Sequence, residues 1–200
     1  MISCPIMKAN QKGYVDVLNY AKSLRIKAQT DYIMMARADL NTDNLANRMS
    51  IEETEAFLRD LIQNDTDYKE KTLEQPPVSD FIKFDIERFK KQPICGVGYD
   101  SCCITANGDV YPCAGWQAYV LGNVYRQSLA EIWEKSERIV ELRKIKQESF
   151  PACLECEARD YCAMCLVRNY NESGGDMLKL NKHFCDVAFL TKRIVEEYYE

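Results

Sequence analysis

The chain has no apolar run long enough to span a membrane, so hydropathy excludes a transmembrane helix. It has no basic excess: 26 Lys and Arg stand against 31 Asp and Glu, a net charge of −5, which argues against nucleic acid as a partner. Its first residues, "MISCPIMKANQKGY", lack a basic segment followed by an apolar one, so no secretory signal is read there and a cytoplasmic protein is expected. A disulfide framework is out of place in that compartment. There is one histidine, His183, too few to build a Ser–His–Asp set with any freedom. There is no P-loop, no G-x-G-x-x-G, no internal repeat and no low-complexity segment.

What the chain does have is ten cysteines. Cys4 sits alone in "ISCPIM" and reads as a small buried hydrophobe. The stretch "CLECEARDYCAMC" is different. Cys153, Cys156, Cys162 and Cys165 stand among Glu155, Glu157, Arg159 and Asp160, with the spacing C-x2-C-x5-C-x2-C. Two residues between thiols let both sulfurs turn toward one metal or one cluster edge, and zinc and iron–sulfur sites both use this device. With Cys95, Cys102, Cys113 and Cys185, and setting Cys4 and Cys103 aside, eight thiols would fill two four-ligand sites. Spacing alone leaves zinc and iron–sulfur equally open. His183 is expected outside the ligand set, and Gly96 and Gly98 are expected to let the backbone pass close to a metal centre.

The pattern along the chain is α+β. "ISCPIM" and "AQTDYIMMA" read as buried strands, and "GYVDVLNYAKSL" as a helix with Val15, Leu18, Ala21 and Leu24 on its apolar side. "SIEETEAFLRDLI" opens with Ser50 and Glu53 as a capping box. Strand–helix alternation implies a parallel sheet, and two strands buried on both faces would need further neighbours. Residues 1–75 are therefore expected to be the tail end of a larger parallel α/β domain. Pro76 and Pro77 in "EQPPVSD" mark a boundary, residues 76–93 a linker that includes the weak element "FIKFDIERFKKQ", and residues 94–200 a cysteine-rich domain. In that domain "SLAEIWEKSERIVELRKIKQ" reads as one long helix, capped by Ser128 and Glu131, with Ile132, Trp133, Ile139, Leu142 and Ile145 as its stripe. "SGGD" at 173–176 reads as a turn, and "CDVAFLTKRIVEEYY" as a final amphipathic helix with Cys185 at its start.

"SCCITANGDVYPC" reads as a hairpin around Asn107-Gly108. A two-residue turn there would set Ala106 opposite Asp109, Ile104 opposite Tyr111 and Cys102 opposite Cys113. Cys103 would face Pro112 on the other side. This register makes Cys102 a candidate ligand beside Cys113.

The run "CGVGYDSCCITANGDVYPC", with Cys95, Gly108 and Cys113 as C-x12-G-x4-C, is followed by "LGNVYRQSLAEIW", by the four-cysteine stretch and by Cys185. This order, over roughly residues 94–190, resembles the SPASM domain, the C-terminal auxiliary-cluster domain of radical SAM enzymes that modify peptides and proteins. Members include anaerobic sulfatase-maturating enzymes and the maturases of thioether-bridged peptides, a class of ribosomally made, modified products (RiPPs). The family pattern has three residues between its last paired cysteines, whereas Cys162 and Cys165 here have two between them. The resemblance implies two [4Fe–4S] clusters, the first on Cys95, Cys113 and Cys165, the second on Cys153, Cys156, Cys162 and Cys185. The hairpin register offers Cys102 as a fourth ligand of the first.

The N-terminal third is similar to the last strand–helix units of the radical SAM partial barrel. The C-x3-C-x2-C motif that would bind the SAM-cleaving cluster does not occur in these residues. The expectation is the C-terminal portion of a radical SAM maturase or oxidoreductase acting on a peptide or protein. S-adenosylmethionine would be used only by the intact enzyme, and a second chain could carry the SAM-binding half. This chain by itself would not cleave SAM. The rival is a non-catalytic, zinc-stabilised binding module with two Cys4 sites.

Overall fold

The computed structural model describes residues 1–74 and 85–199. Strands β1 (Ile2–Pro5) and β2 (Ala28–Asp31) pair in parallel, Ile2 with Ala28 and Cys4 with Thr30, with helix α1 (Tyr14–Ser23) between them in the chain. Both strands are shorter than the apolar runs that predicted them. Only one face is covered: Cys4 is buried, while Ser3, Pro5, Gln29 and Asp31 are exposed. The expectation of strands buried on both faces is corrected on that point. Tyr14 and Ala21 are the residues that α1 buries, and Leu24 lies past its end, 49% exposed.

Helix α2 (Ile51–Asn64) starts where its capping box places it. Ser50 Oγ accepts from Glu53 N–H (3.1 Å), and the Glu53 carboxylate accepts from Ser50 N–H (2.8 Å). Thr54, Phe57, Leu58 and Leu61 are its buried residues, at helical spacing. A single turn, α3 (Thr66–Lys69), follows. Pro76, Pro77 and the boundary read from them lie outside the described residues. Past them comes α4 (Ile86–Lys90), capped by the Asp85 side chain.

The C-terminal part holds a three-stranded antiparallel sheet of β3 (Cys103–Ile104), β4 (Asp109–Tyr111) and β5 (Gly122–Asn123). The predicted long helix is two helices, α5 (Leu129–Lys135) and α6 (Glu137–Lys144), broken at Ser136. Ser136 takes an extended backbone, and its hydroxyl donates to the Leu121 carbonyl (2.9 Å). Apolar periodicity runs straight through this break, because Ile132, Ile139 and Leu142 all enter the same core. That core is centred on Trp116, Val110 and Ile132, each fully buried, and Trp133 packs against it partly buried.

Short helix α7 (Pro151–Leu154) and helix α8 (Leu166–Ser173) carry the four-cysteine stretch between them, and α9 (Lys182–Tyr199) closes the chain. Helix α9 begins three residues earlier than predicted, which puts Cys185 in its first turn. It bridges both halves of the molecule. Leu190 and Ile194 enter the N-terminal core beside Phe57, Leu58 and Leu61. Among the described residues no helix is long and apolar enough to cross a membrane.

Candidate metal centre

All ten cysteines are free thiols. Cys4 is buried in the N-terminal core, and burial alone pushes its thiol up from the usual range. It stands apart from the rest, as its sequence context suggested.

Two groups form among the others. Cys113 and Cys165 both lie within electrostatic reach of Cys95. Burial raises the Cys95 thiol, a hydrogen bond from Val97 N–H to its sulfur opposes this, and the fields of Cys165 and Cys113 raise it further. The second group is Cys153, Cys156, Cys162 and Cys185. Burial pushes Cys162 up to about 11, helped by Cys185, Cys153 and Cys156 and opposed by the Arg168 guanidinium. Burial raises Cys153, as do Cys185 and Cys156. Burial and then Cys156 raise Cys185, with Lys182 opposing.

The local folds explain the sorting. Cys153 is the penultimate residue of the single-turn helix α7, and Cys156 N–H reaches back to the Cys153 carbonyl (3.4 Å), so the C-x2-C pair curls into one turn. A 3-10 turn over Arg159–Tyr161 then returns the chain to Cys162. Cys165 is the residue that caps α8, where the chain changes direction. Cys162 therefore stays with the second group while Cys165 goes to the first. A small cavity of about 30 Å³ lined by Cys153, Cys162, Cys165 and Cys185 lies where the two groups approach. A larger cleft, about 660 Å³, opens beside the second group and is lined by its four cysteines together with Phe89, Met164 and Phe189.

The hairpin does not have the predicted register. Cys103 pairs with Tyr111 and Ile104 with Val110. Thr105 N–H donates to Asp109 O (3.0 Å) and Gly108 N–H to Thr105 O (2.9 Å), so the loop has three residues, Ala106, Asn107 and Gly108, not two. Gly108 has φ +82°, the left-handed residue that closes a three-residue loop with a bulge. Continued, that register sets Ser101 rather than Cys102 opposite Cys113. Cys102 is exposed, as is Cys95, and this register does not set it opposite Cys113. Gly98, at φ +80°, packs against Ile139 and Leu142 of α6. His183 lies partly buried against the Phe184 ring, 5.3 Å between centroids.

The donor chemistry fits a metal centre. Clustered thiols that are largely half-buried and raise one another's pKa are held protonated unless a cationic centre offsets their mutual repulsion, and thiolate is a soft-metal ligand. Among the described residues no three His, Cys, Asp or Glu side chains converge on a shell that a single metal ion could occupy.

Sequence reasoning missed the side chains that hold these groups in place. Glu172 on α8 accepts from Arg48 through a largely buried ion pair, both side chains 11% exposed. It also accepts from Ala36 N–H (3.3 Å) and from Asn181 Nδ2 (2.6 Å), just before α9. Arg48 Nε donates to the Met34 carbonyl (2.9 Å), and both Arg48 and Arg168 stack on Phe184, next to Cys185. Asn169 accepts from Asn181 N–H (3.2 Å), and Asn171 Nδ2 donates to the Ala36 carbonyl (3.2 Å). These partners are far apart in the chain, so no local pattern announces them.

A small domain in which separate segments converge through clustered cysteines is the architecture of a metal-cluster domain. Residues 95–157 match the family model SPASM, described as an iron-sulfur cluster-binding domain. That span holds Cys95, Cys113, Cys153 and Cys156, and ends before Cys162, Cys165 and Cys185. The chain is similar to a protein of Nitratidesulfovibrio vulgaris named AdoMet-dependent heme synthase, 34% identical over 94 residues, covering 47% of this chain and 24% of that protein. A protein of the same name from Methanosarcina barkeri is 34% identical over 88 residues, covering 44% of this chain and 24% of its own length. The matches thus span about a quarter of the length of these curated relatives.

Proposed function

We propose that this chain is the auxiliary-cluster-binding portion of a radical SAM enzyme and holds two [4Fe–4S] clusters, one on Cys95, Cys113 and Cys165, the other on Cys153, Cys156, Cys162 and Cys185. The observation that carries this reading is the sorting of seven cysteines into two groups, four of them (Cys95, Cys113, Cys153 and Cys156) within a region matched to an iron–sulfur family. Clusters held there would supply one-electron transfer, or an iron to which a substrate thiol binds. The chain's own residues do the positioning. Val97 N–H steadies the Cys95 sulfur, Arg168 and Lys182 bring positive charge to the second group, and the Glu172 contacts fix the start of α9.

The order of the cysteines supports a peptide or protein substrate, modified by an oxidoreductase or maturase whose SAM-binding part is supplied by further chain or by a partner. The names of the two relatives favour a second reading, in which the substrate is a haem precursor. The test of the cluster assignment is anaerobic reconstitution with iron and sulfide, followed by electron paramagnetic resonance of the reduced protein. The expected result is about eight irons per chain, four to each cluster, and matching sulfide. Uptake of zinc in preference, with no sulfide, would overturn the reading in favour of a Cys4 zinc module. Binding of a leader-type peptide or of a haem precursor by the loaded protein separates the two substrate classes.

A further inference from the structure

The cleft of about 660 Å³ beside the second cysteine group has the size of a small-ligand pocket. Thiols are a fraction of its lining. Phe89 of α4, Ile94, Met164, Leu180 and Phe189 of α9 build apolar walls from separate segments of the chain. Phe189 follows Cys185 by four residues, so the two lie on the same side of α9. Phe189 is 44% exposed and Leu180 36%, so this apolar surface still faces water. Phenyl and aliphatic side chains offer a cluster no donor, and a cluster on the thiols leaves their surface to another occupant. The rim of the cleft is acidic. Glu155, Glu157 and Asp160 line it, and among the described lining residues Arg159 is the one base. That base is already engaged. Its Nη1 donates to the Leu154 carbonyl (3.0 Å), its Nε lies 3.7 Å from Asp160, and its guanidinium sits over the Phe89 ring at 5.2 Å. Lys192 lies 3.6 Å from Glu157 but is shared with Glu196 at 2.8 Å. Glu155 is exposed and enters no ion pair among the described residues.

We propose that this cleft receives an apolar peptide segment flanked by Lys or Arg. The apolar residues of the segment cover Phe189, Leu180 and Phe89, its cations meet Glu155 and the neighbouring acids, and it lies alongside the second cysteine group. The inference rests on the cluster reading above and deepens its peptide branch. Charge decides between the two substrate classes. A haem precursor carries several carboxylates, and these would meet three acids and a base that already has partners. A basic segment gains from the same rim, which selects the partner while apolar burial supplies most of the affinity.

The test uses this chain reconstituted anaerobically, with Phe189→Ser and Glu155→Lys compared with wild type. Three probes are titrated by fluorescence: a short labelled peptide with a leucine–phenylalanine core flanked by lysines, the same core flanked by glutamates, and a tetracarboxylated porphyrin. Wild type is expected to bind the lysine-flanked peptide best, and more weakly as salt is raised. Phe189→Ser is expected to weaken that binding about tenfold, through lost apolar contact. Glu155→Lys is expected to weaken it about threefold at low salt and to narrow the gap between the two peptides. Equal binding of both peptides, preference for the porphyrin, or binding indifferent to both variants would overturn the inference. So would self-association of wild type that Phe189→Ser abolishes, since a second copy would then be the occupant. Should Phe189→Ser not fold, Glu155→Lys decides, because an unchanged preference between the peptides excludes the acidic rim. Iron and sulfide are counted in every sample. Wild type that takes up neither would overturn the cluster reading itself, which is a different result from loaded protein that ignores the peptides.

Discussion

At Gly108 one missing β-carbon decides which residues face each other across the hairpin. Its φ of +82° is forbidden territory for most side chains, and an added β-carbon would lie 2.6 Å from the Tyr125 ring. Asn107-Gly108 was read as a two-residue turn, but Thr105 pairs with Asp109 and the glycine serves as the bulge residue instead. Gly108→Ala is expected to lower stability by about 1–2 kcal/mol, from left-handed strain plus displacement of the exposed Tyr125. Urea denaturation of the loaded protein measures this, and an unchanged midpoint would mean that the loop relaxes to another turn. The burial of Cys4 and the local turn that joins Cys153 to Cys156 were legible from their immediate neighbours. The placement of Cys102 was not, since a one-residue slip moves every side chain of a strand to the other face.

At the scale of elements, α8 is the part on which the others converge. Its Asn169 bonds Met177 and Asn181, its Asn171 bonds Ala36, and Glu172 alone ties Ala36, Arg48 and Asn181 together. Because the ion pair is largely withdrawn from water, removing one charge leaves the other uncompensated. Glu172→Gln is expected to cost about 3 kcal/mol. The double variant Arg48→Met with Glu172→Leu is expected to lose much less than the sum of the two single changes, as a coupled pair does. Additive losses in thermal or urea unfolding would show that the two side chains act independently. The break between α5 and α6 belongs to this scale too. Ser136 looks like any polar residue on a helix surface until the Leu121 carbonyl arrives from β5's neighbourhood to accept its hydroxyl.

Across the whole molecule, α9 and the proposed second cluster do separate jobs. Cys185, in the first turn of α9, lies within electrostatic reach of Cys153, Cys156 and Cys162, while Leu190 and Ile194 hold its later turns in the N-terminal core. Arg59 and Arg193 add ion pairs between α2 and α9, with Glu197 and Glu55. Those pairs are exposed and contribute little. Cys185→Ser is therefore expected to halve the iron content and to raise amide exchange over residues 151–165 and the start of α9. Exchange over residues 190–199 should stay close to that of wild type, because apolar burial, not the cluster, fixes that part. Metal binding and folding would be coupled in one segment and not in the other. Hydrogen exchange of the loaded protein checks this, and equal protection throughout would show that the second group does not staple the fold.

The sequence by itself determined whatever depends on neighbours a few residues away. The capping boxes at Ser50 and Ser128 formed as read, because each closes within four residues. The C-x2-C curl at Cys153 has a similarly local cause, and the parallel pairing of β1 and β2 follows from strand–helix–strand alternation. The tertiary structure decided the rest. It chose the hairpin register, cut the long helix at Ser136 and sent α9 across to the N-terminal core. Each of those outcomes turns on a contact between groups that chain order does not bring together, or on a loop length that differs by a single residue. Apolar periodicity carries no record of a partner such as Glu172, 124 residues from Arg48. Only the closing of the core, which leaves a buried charge or hydroxyl no other partner, selects it.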